Sequence, residues 1–247
     1  MSSQSEIEVL NRKTPVWQKQ AFAEFVGTFC LVFAGTGSII VNDVSGMGVT
    51  HVGISLTFGL VVMAMIYSIG DISGAHINPA VTLAFTLAGR FRFRLVFPFV
   101  LAQLTGAIVA SAVLKFLFPE HVSLGSTFPS GPILQSFVLE IVLTWMLMLV
   151  ILSVSTGARE EGITAAIAVG GTVALAAMFA GPICGASMNP ARSLGPAIVS
   201  MNLGTLWIYV IAPVIGASFA VPFCWCLRDS DCCCVPFLDS SAKERTS

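Results

Sequence analysis

Ser73-Gly74-Ala75-His76-Ile77-Asn78-Pro79-Ala80-Val81-Thr82 and Gly185-Ala186-Ser187-Met188-Asn189-Pro190-Ala191-Arg192-Ser193 are two versions of one phrase. In each, an Asn-Pro-Ala tripeptide opens an apolar stretch, 78–89 and 189–200, that is too short to cross a bilayer. Asparagine is a favoured helix N-cap, because its side chain satisfies orphan backbone amides. Proline suits the first helical turn, where no amide proton is needed. Both stretches therefore read as short re-entrant helices opened by Asn78, Pro79, Ala80 and by Asn189, Pro190, Ala191.

Around them lie longer apolar segments. A spanning helix needs roughly 17–25 mostly apolar residues, and six segments qualify, near 20–41, 52–69, 95–117, 133–154, 163–180 and 205–227. Composition agrees: 55% of the 247 residues are hydrophobic and 10% charged, against about 25% charged in a soluble domain. An all-α, multi-pass integral membrane protein is expected. The net charge of −1 gives no footing for nucleic acid, and no metal or cofactor is expected. Of seven cysteines, five crowd the carboxyl end, while Cys30 and Cys184 stand alone. That is neither a disulfide framework nor a zinc pattern. A polar tail over 1–19, with Ser2 in second place, predicts neither a signal peptide nor myristoylation.

The chain repeats itself. Glu24 precedes Thr28 as Glu140 precedes Thr144, and Gly106-Ala107 answers Gly216-Ala217. Each half, about 20–117 and about 133–227, holds three spans, so the second copy enters the membrane inverted. Inverted repeats place a functional site near the midplane, between the halves. Ten of the 12 Lys and Arg fall on one side of this topology, the exceptions being Lys115 and Arg192. Both termini, with the tail over 228–247, are then expected on the cytoplasmic side.

Inversion brings the two short helices together, amino termini facing. Each carries roughly half an elementary positive charge there, which repels cations and protons, while the asparagine amides can donate to a passing oxygen. Arg192, an ionised group at membrane depth, is a functional candidate by default. It is expected at the outer mouth as a hydrogen-bond donor to solutes. The symmetric Glu24 and Glu140 are expected to brace the loops before the two short helices. His76 reads equally as a vestibule lining or a structural hydrogen-bonding group, and His51 and His121 fall in outer loops with no assigned role. Gly27, Gly59, Gly74, Gly106, Gly171, Gly195 and Gly216 are expected where helices cross closely. Gln103 and Pro213, at matching places, read as packing.

The two quoted loops resemble the signature loops of the major intrinsic proteins, the aquaporin superfamily, and the likeness runs from Ala21 to Leu227. Ala180-Gly181-Pro182, Phe128-Pro129-Ser130-Gly131, Gln135-Ser136-Phe137-Val138-Leu139-Glu140 and the run Arg192-Ser193-Leu194-Gly195-Pro196-Ala197 resemble the nodulin-26-like branch most. The resemblance implies the aquaporin fold, a homotetramer with a pore in each protomer, and passive passage of water and small uncharged solutes rather than catalysis. It also implies a four-residue filter at Phe58, Ala177, Ala186 and Arg192. Water-selective members place a histidine where Ala177 stands, so two alanines imply a wider ring that admits glycerol, urea, ammonia or uncharged metalloid acids. Ser193 and Ala197 point the other way, since glycerol facilitators resemble one another in an aspartate at the first of these places. The alternatives are a channel for boric, silicic or arsenous acid, a strictly water-selective pore, a secondary transporter, and an adhesive protein with a vestigial pore.

One departure stands out. Where the family reads Gly-His-Ile-Ser-Gly, this chain has Gly70-Asp71-Ile72-Ser73-Gly74, placing Asp71 at the inner vestibule, where it is expected to pair with Arg90 or Arg92. Cys184, five residues before Asn189, is a candidate for mercurial attack. The juxtamembrane Cys232, Cys233 and Cys234 are candidates for palmitoylation.

Overall fold

The computed structural model describes residues 15–155 and 163–227. Uninterrupted apolar sequence with no room for alternation folds as helix, because in lipid every backbone amide must be satisfied within its own segment. The helices are α1 (Val16–Val44), α2 (Thr50–Ser73), the short α3 (Pro79–Leu87), α4 (Val96–Leu117), α5 (Ile133–Val154), α6 (Ile163–Cys184), the short α7 (Pro190–Val199) and α8 (Leu206–Leu227). A single 3-10 turn, Phe93–Leu95, leads into α4. Among the described residues, six helices are long and apolar enough to cross a membrane.

The expected elements are all present, but some ends move. α1 begins at Val16, directly after Pro15, so residues 16–19 are helical rather than part of the tail. Its 29 residues extend roughly 44 Å at 1.5 Å per residue, well beyond a hydrocarbon core of about 30 Å. α6 continues through Pro182 to Cys184, past the expected stop at residue 180. Cys232, Cys233, Cys234 and both chain ends lie outside the described residues.

The packing has the twofold character that the repeat implies. α1 lies along α4 as α5 lies along α8, and α2 meets α6 across the pseudo-symmetry axis. Each short helix packs on the third span of the other half, α3 on α8 and α7 on α4. The halves are thus interlocked rather than merely adjacent. Small residues set these approaches: a Cβ on Gly195 would lie 2.6 Å from Ala107 O, and one on Gly59 would lie 2.6 Å from Gly170 O. Gly106 and Gly216 sit against the backbone carbonyls of Phe25 and Ile141. Two glycines behave otherwise than expected. Gly171 faces open space while its neighbour Gly170 makes the crossing, and Gly74 is the left-handed C-cap of α2.

Candidate functional site

The site is built on the two loops that enter α3 and α7. Asn78 and Asn189 are N-caps in extended conformation: Asn78 Oδ1 accepts from Ala80 N, and Asn189 Oδ1 accepts from Ala191 N and Arg192 N. The same side chains tie the halves together, Asn78 Nδ2 donating to Met188 O and Asn189 Nδ2 to Ile77 O, both at 2.8 Å. A primary amide carries two N–H donors, so each asparagine has one left over. Pro79, Ala80, Pro190 and Ala191 are buried.

The approaching loops carry matched left-handed residues, Ala75 and Ile77 in one, Ala186 and Met188 in the other. Such a φ is unfavourable for side-chain-bearing residues, above all a β-branched one. Something must hold it, and the buried glutamates are placed to do so. Glu24 accepts from His76 N (2.9 Å), Ile77 N (2.6 Å), Ser73 Oγ (2.7 Å) and Gln103 Nε2 (2.7 Å). Glu140 accepts from Ser187 N (2.7 Å) and Met188 N (2.8 Å). A carboxylate has the acceptor capacity that this irregular backbone needs in a medium without water.

His76 is buried, ringed by Phe85, Phe91 and Phe99 with centroids 4.8–5.4 Å away. Its Nδ1 lies 3.1 Å from Thr82 Oγ1, whose own proton goes to Asn78 O. Nδ1 must therefore carry the ring proton. In the second half Ser187 and Ser193 take these two places, with their Oγ atoms 2.6 Å apart.

A single cavity runs past these groups. Phe58, Ala177, Ala186 and Arg192 share it with Asn78, Asn189 and His76, between apolar walls that include Leu31, Val62 and Leu147. Arg192 donates to Gly125 O at 3.0 Å, and its guanidinium lies 5.0 Å from the centre of the Phe58 ring. Neither Glu24 nor Glu140 lines the cavity.

Several groups act differently from the reading of the sequence. Gln103 is no mere packing residue: it donates to Glu24 and to Thr82 Oγ1. Asp71 is exposed, and no ion pair joins it to Arg90 or Arg92; Arg90 donates instead to Leu152 O and Ser155 Oγ. Cys184 is fully buried, with its thiol toward Ala180 O and outside the cavity lining.

Two histidines gain roles. His51 Nε2 lies 2.8 Å from Met178 O. Pro182 has no N–H, so it leaves the carbonyl four residues earlier, that of Met178, without a helical partner. The available signal was Pro182 itself, which announces an orphan carbonyl but not its donor. His121 Nε2 meets Asp43 Oδ2 at 3.2 Å.

Six apolar helices, a site between inverted halves and a cavity lined by asparagine amides define an α-helical membrane channel. The chain belongs to the major intrinsic protein family, whose model matches residues 11–223. Members of this family are channels for water and small solutes, not enzymes. The chain is 48% identical over 197 residues to aquaporin NIP1-4 of Oryza sativa subsp. japonica, covering 79% of this chain and 72% of the relative. It is 46% identical to aquaporin NIP1-2 of Arabidopsis thaliana, covering 85% and 74%. Among solved structures, the aquaglyceroporin from Plasmodium falciparum superposes with a TM-score of 0.77 at 25% identity, covering 84% of this chain and 95% of that one.

Proposed function

We propose that this channel passes water together with small uncharged solutes such as glycerol, and excludes protons and ions. The observation that carries the reading is the composition of the ring: one aromatic face (Phe58), one cation (Arg192) and two alanines (Ala177, Ala186) on one cavity. Such a ring offers an apolar wall for a carbon chain and a fixed donor for hydroxyls, with neither position filled by an imidazole. The similar Plasmodium falciparum protein is an aquaglyceroporin, in keeping with that breadth. Cations meet the guanidinium first and then the positive ends of α3 and α7, each worth roughly half an elementary charge. The second amide proton of Asn78 and of Asn189 orients a passing oxygen, and a water so held cannot relay a proton through itself.

Passive flow fits better than coupled transport. A coupling carboxylate must bind and release a cation, whereas both buried glutamates stand outside the cavity lining and are committed to the backbone amides of residues that form it. His76 lines the inner vestibule, the termini lie on the cytoplasmic side, and the assembly is a homotetramer with one pore per protomer.

Stopped-flow light scattering on proteoliposomes with water, glycerol, urea and boric acid gradients tests the reading. Flux of water and glycerol above protein-free vesicles, without dissipation of a pH gradient, is the expected result. Movement of water alone would make the pore water-selective, and boric acid outpacing glycerol would favour a metalloid channel.

A further inference from the structure

We propose that His121 is a positioning residue for Arg192 and makes solute passage depend on pH at the filter face of the membrane; the inference rests on the channel reading above. His121 Nδ1 accepts from Leu124 N at 3.0 Å. A backbone amide only donates, so Nδ1 is bare and the ring proton sits on Nε2, directed at Asp43 Oδ2. The imidazole thereby braces the entry to a tight turn in the connection between α4 and α5, a turn closed by Ser126 N donating to Ser123 O at 2.9 Å. Leu124 and Gly125 both have left-handed φ, +50° and +71°. Leu124 is fully buried against Ile40 and Leu114, and Gly125 is pressed on α1, where a Cβ would lie 2.9 Å from Thr36 Cβ. The carbonyl of Gly125 is the acceptor for Arg192. One strained turn thus joins the imidazole to the guanidinium.

Histidine is the side chain that gains a proton within the ordinary range of compartment pH. A proton on Nδ1 converts that nitrogen to a donor, so two donors would face each other across 3.0 Å. The turn, already unfavourable at Leu124, then loses the imidazole that braces it and keeps only its own Ser126 N to Ser123 O bond. The charged groups around the ring are Asp43 from the last turn of α1, Glu120 beside it in the same connection, and Lys115 at the end of α4. Lys115 is turned onto Pro119 O at 2.6 Å. From α7, Arg192 reaches the far side of the turn. Once Gly125 O moves, the buried guanidinium must find another acceptor, and the lumen is the open direction. Acid therefore narrows the ring.

Proteoliposomes of the full chain, with equal pH inside and out, give the test as glycerol permeability from about pH 5 to about pH 8. The expected result is a several-fold fall toward acid. His121→Gln keeps an acceptor for Leu124 N and a donor for Asp43 without titrating, so it should hold the alkaline permeability at every pH. His121→Ala should stay low throughout. A flat wild-type profile, or an undiminished acid response in His121→Gln, overturns the inference. Absence of any flux at any pH removes the channel reading and this inference with it, whereas pH-independent flux removes the inference alone.

Discussion

Ala177 carries the sharpest single-residue test. Ala177→His should suppress glycerol permeability more than water permeability, read by stopped-flow light scattering on the same vesicles. Equal loss of both would count against the filter assignment. Gly35 bears on the same ring from behind, because a Cβ there would occupy the place of the Phe58 ring. Gly35→Ala should push that ring into the lumen and lower glycerol flux, with overpacking that costs about 1–3 kcal/mol in thermal unfolding. The two buried acids should not be equivalent. Glu24 gathers four donors and Glu140 two from the backbone. Each buried donor left without a partner costs about 1–3 kcal/mol, so Glu24→Ala should destabilise the detergent-solubilised protein more than Glu140→Ala. At this scale the sequence marked which residues matter through their symmetric recurrence. It did not say what each touches: Gly125 O as the acceptor for Arg192 joins residues 67 apart in the chain, and no local signal announces such a pair.

The elements were legible because each is a long apolar run or a short one headed by Asn-Pro. Their ends were less so. α6 runs on through Pro182 because its orphaned carbonyl finds a donor in His51, on a different helix. A double-mutant cycle checks this. His51→Ala should cost about 0.5–1.5 kcal/mol, the usual net worth of a hydrogen bond. In a Pro182→Ala background the loss should vanish, since residue 182 then supplies its own N–H to Met178 O. Additive effects would show that His51 stabilises α6 by some other route. α1 likewise outran its expected start, since nothing between Pro15 and residue 20 breaks a helix, and polar side chains at a helix end do not prevent it.

For the whole molecule, the decisive feature is that each short helix packs on the opposite half. The two halves hold each other's pore segments, so separated halves should fail to form a conducting unit, while co-expressed halves should regain water flux in the vesicle assay. The expectation of inverted repeats followed from counting spans, three per half, and from the paired Asn-Pro-Ala tripeptides. The cross-packing did not follow from it, because which third span receives which short helix depends on the crossing angle and the depth of each glycine groove.

Sequence alone determined that the chain lives in a membrane, that it is all helix, that it is an inverted duplication, and that Asn78, Asn189 and Arg192 stand apart from the apolar background. These are properties of composition and local pattern, and lipid leaves the backbone little choice beyond helix. Tertiary structure alone decided how the buried and half-buried polar groups pair: Glu24 with Gln103, His76 with Thr82, His51 with Met178, and His121 with Leu124. The reason is physical. Away from water every donor must find some acceptor, but several lie within reach in three dimensions, and only the packed helices select among them.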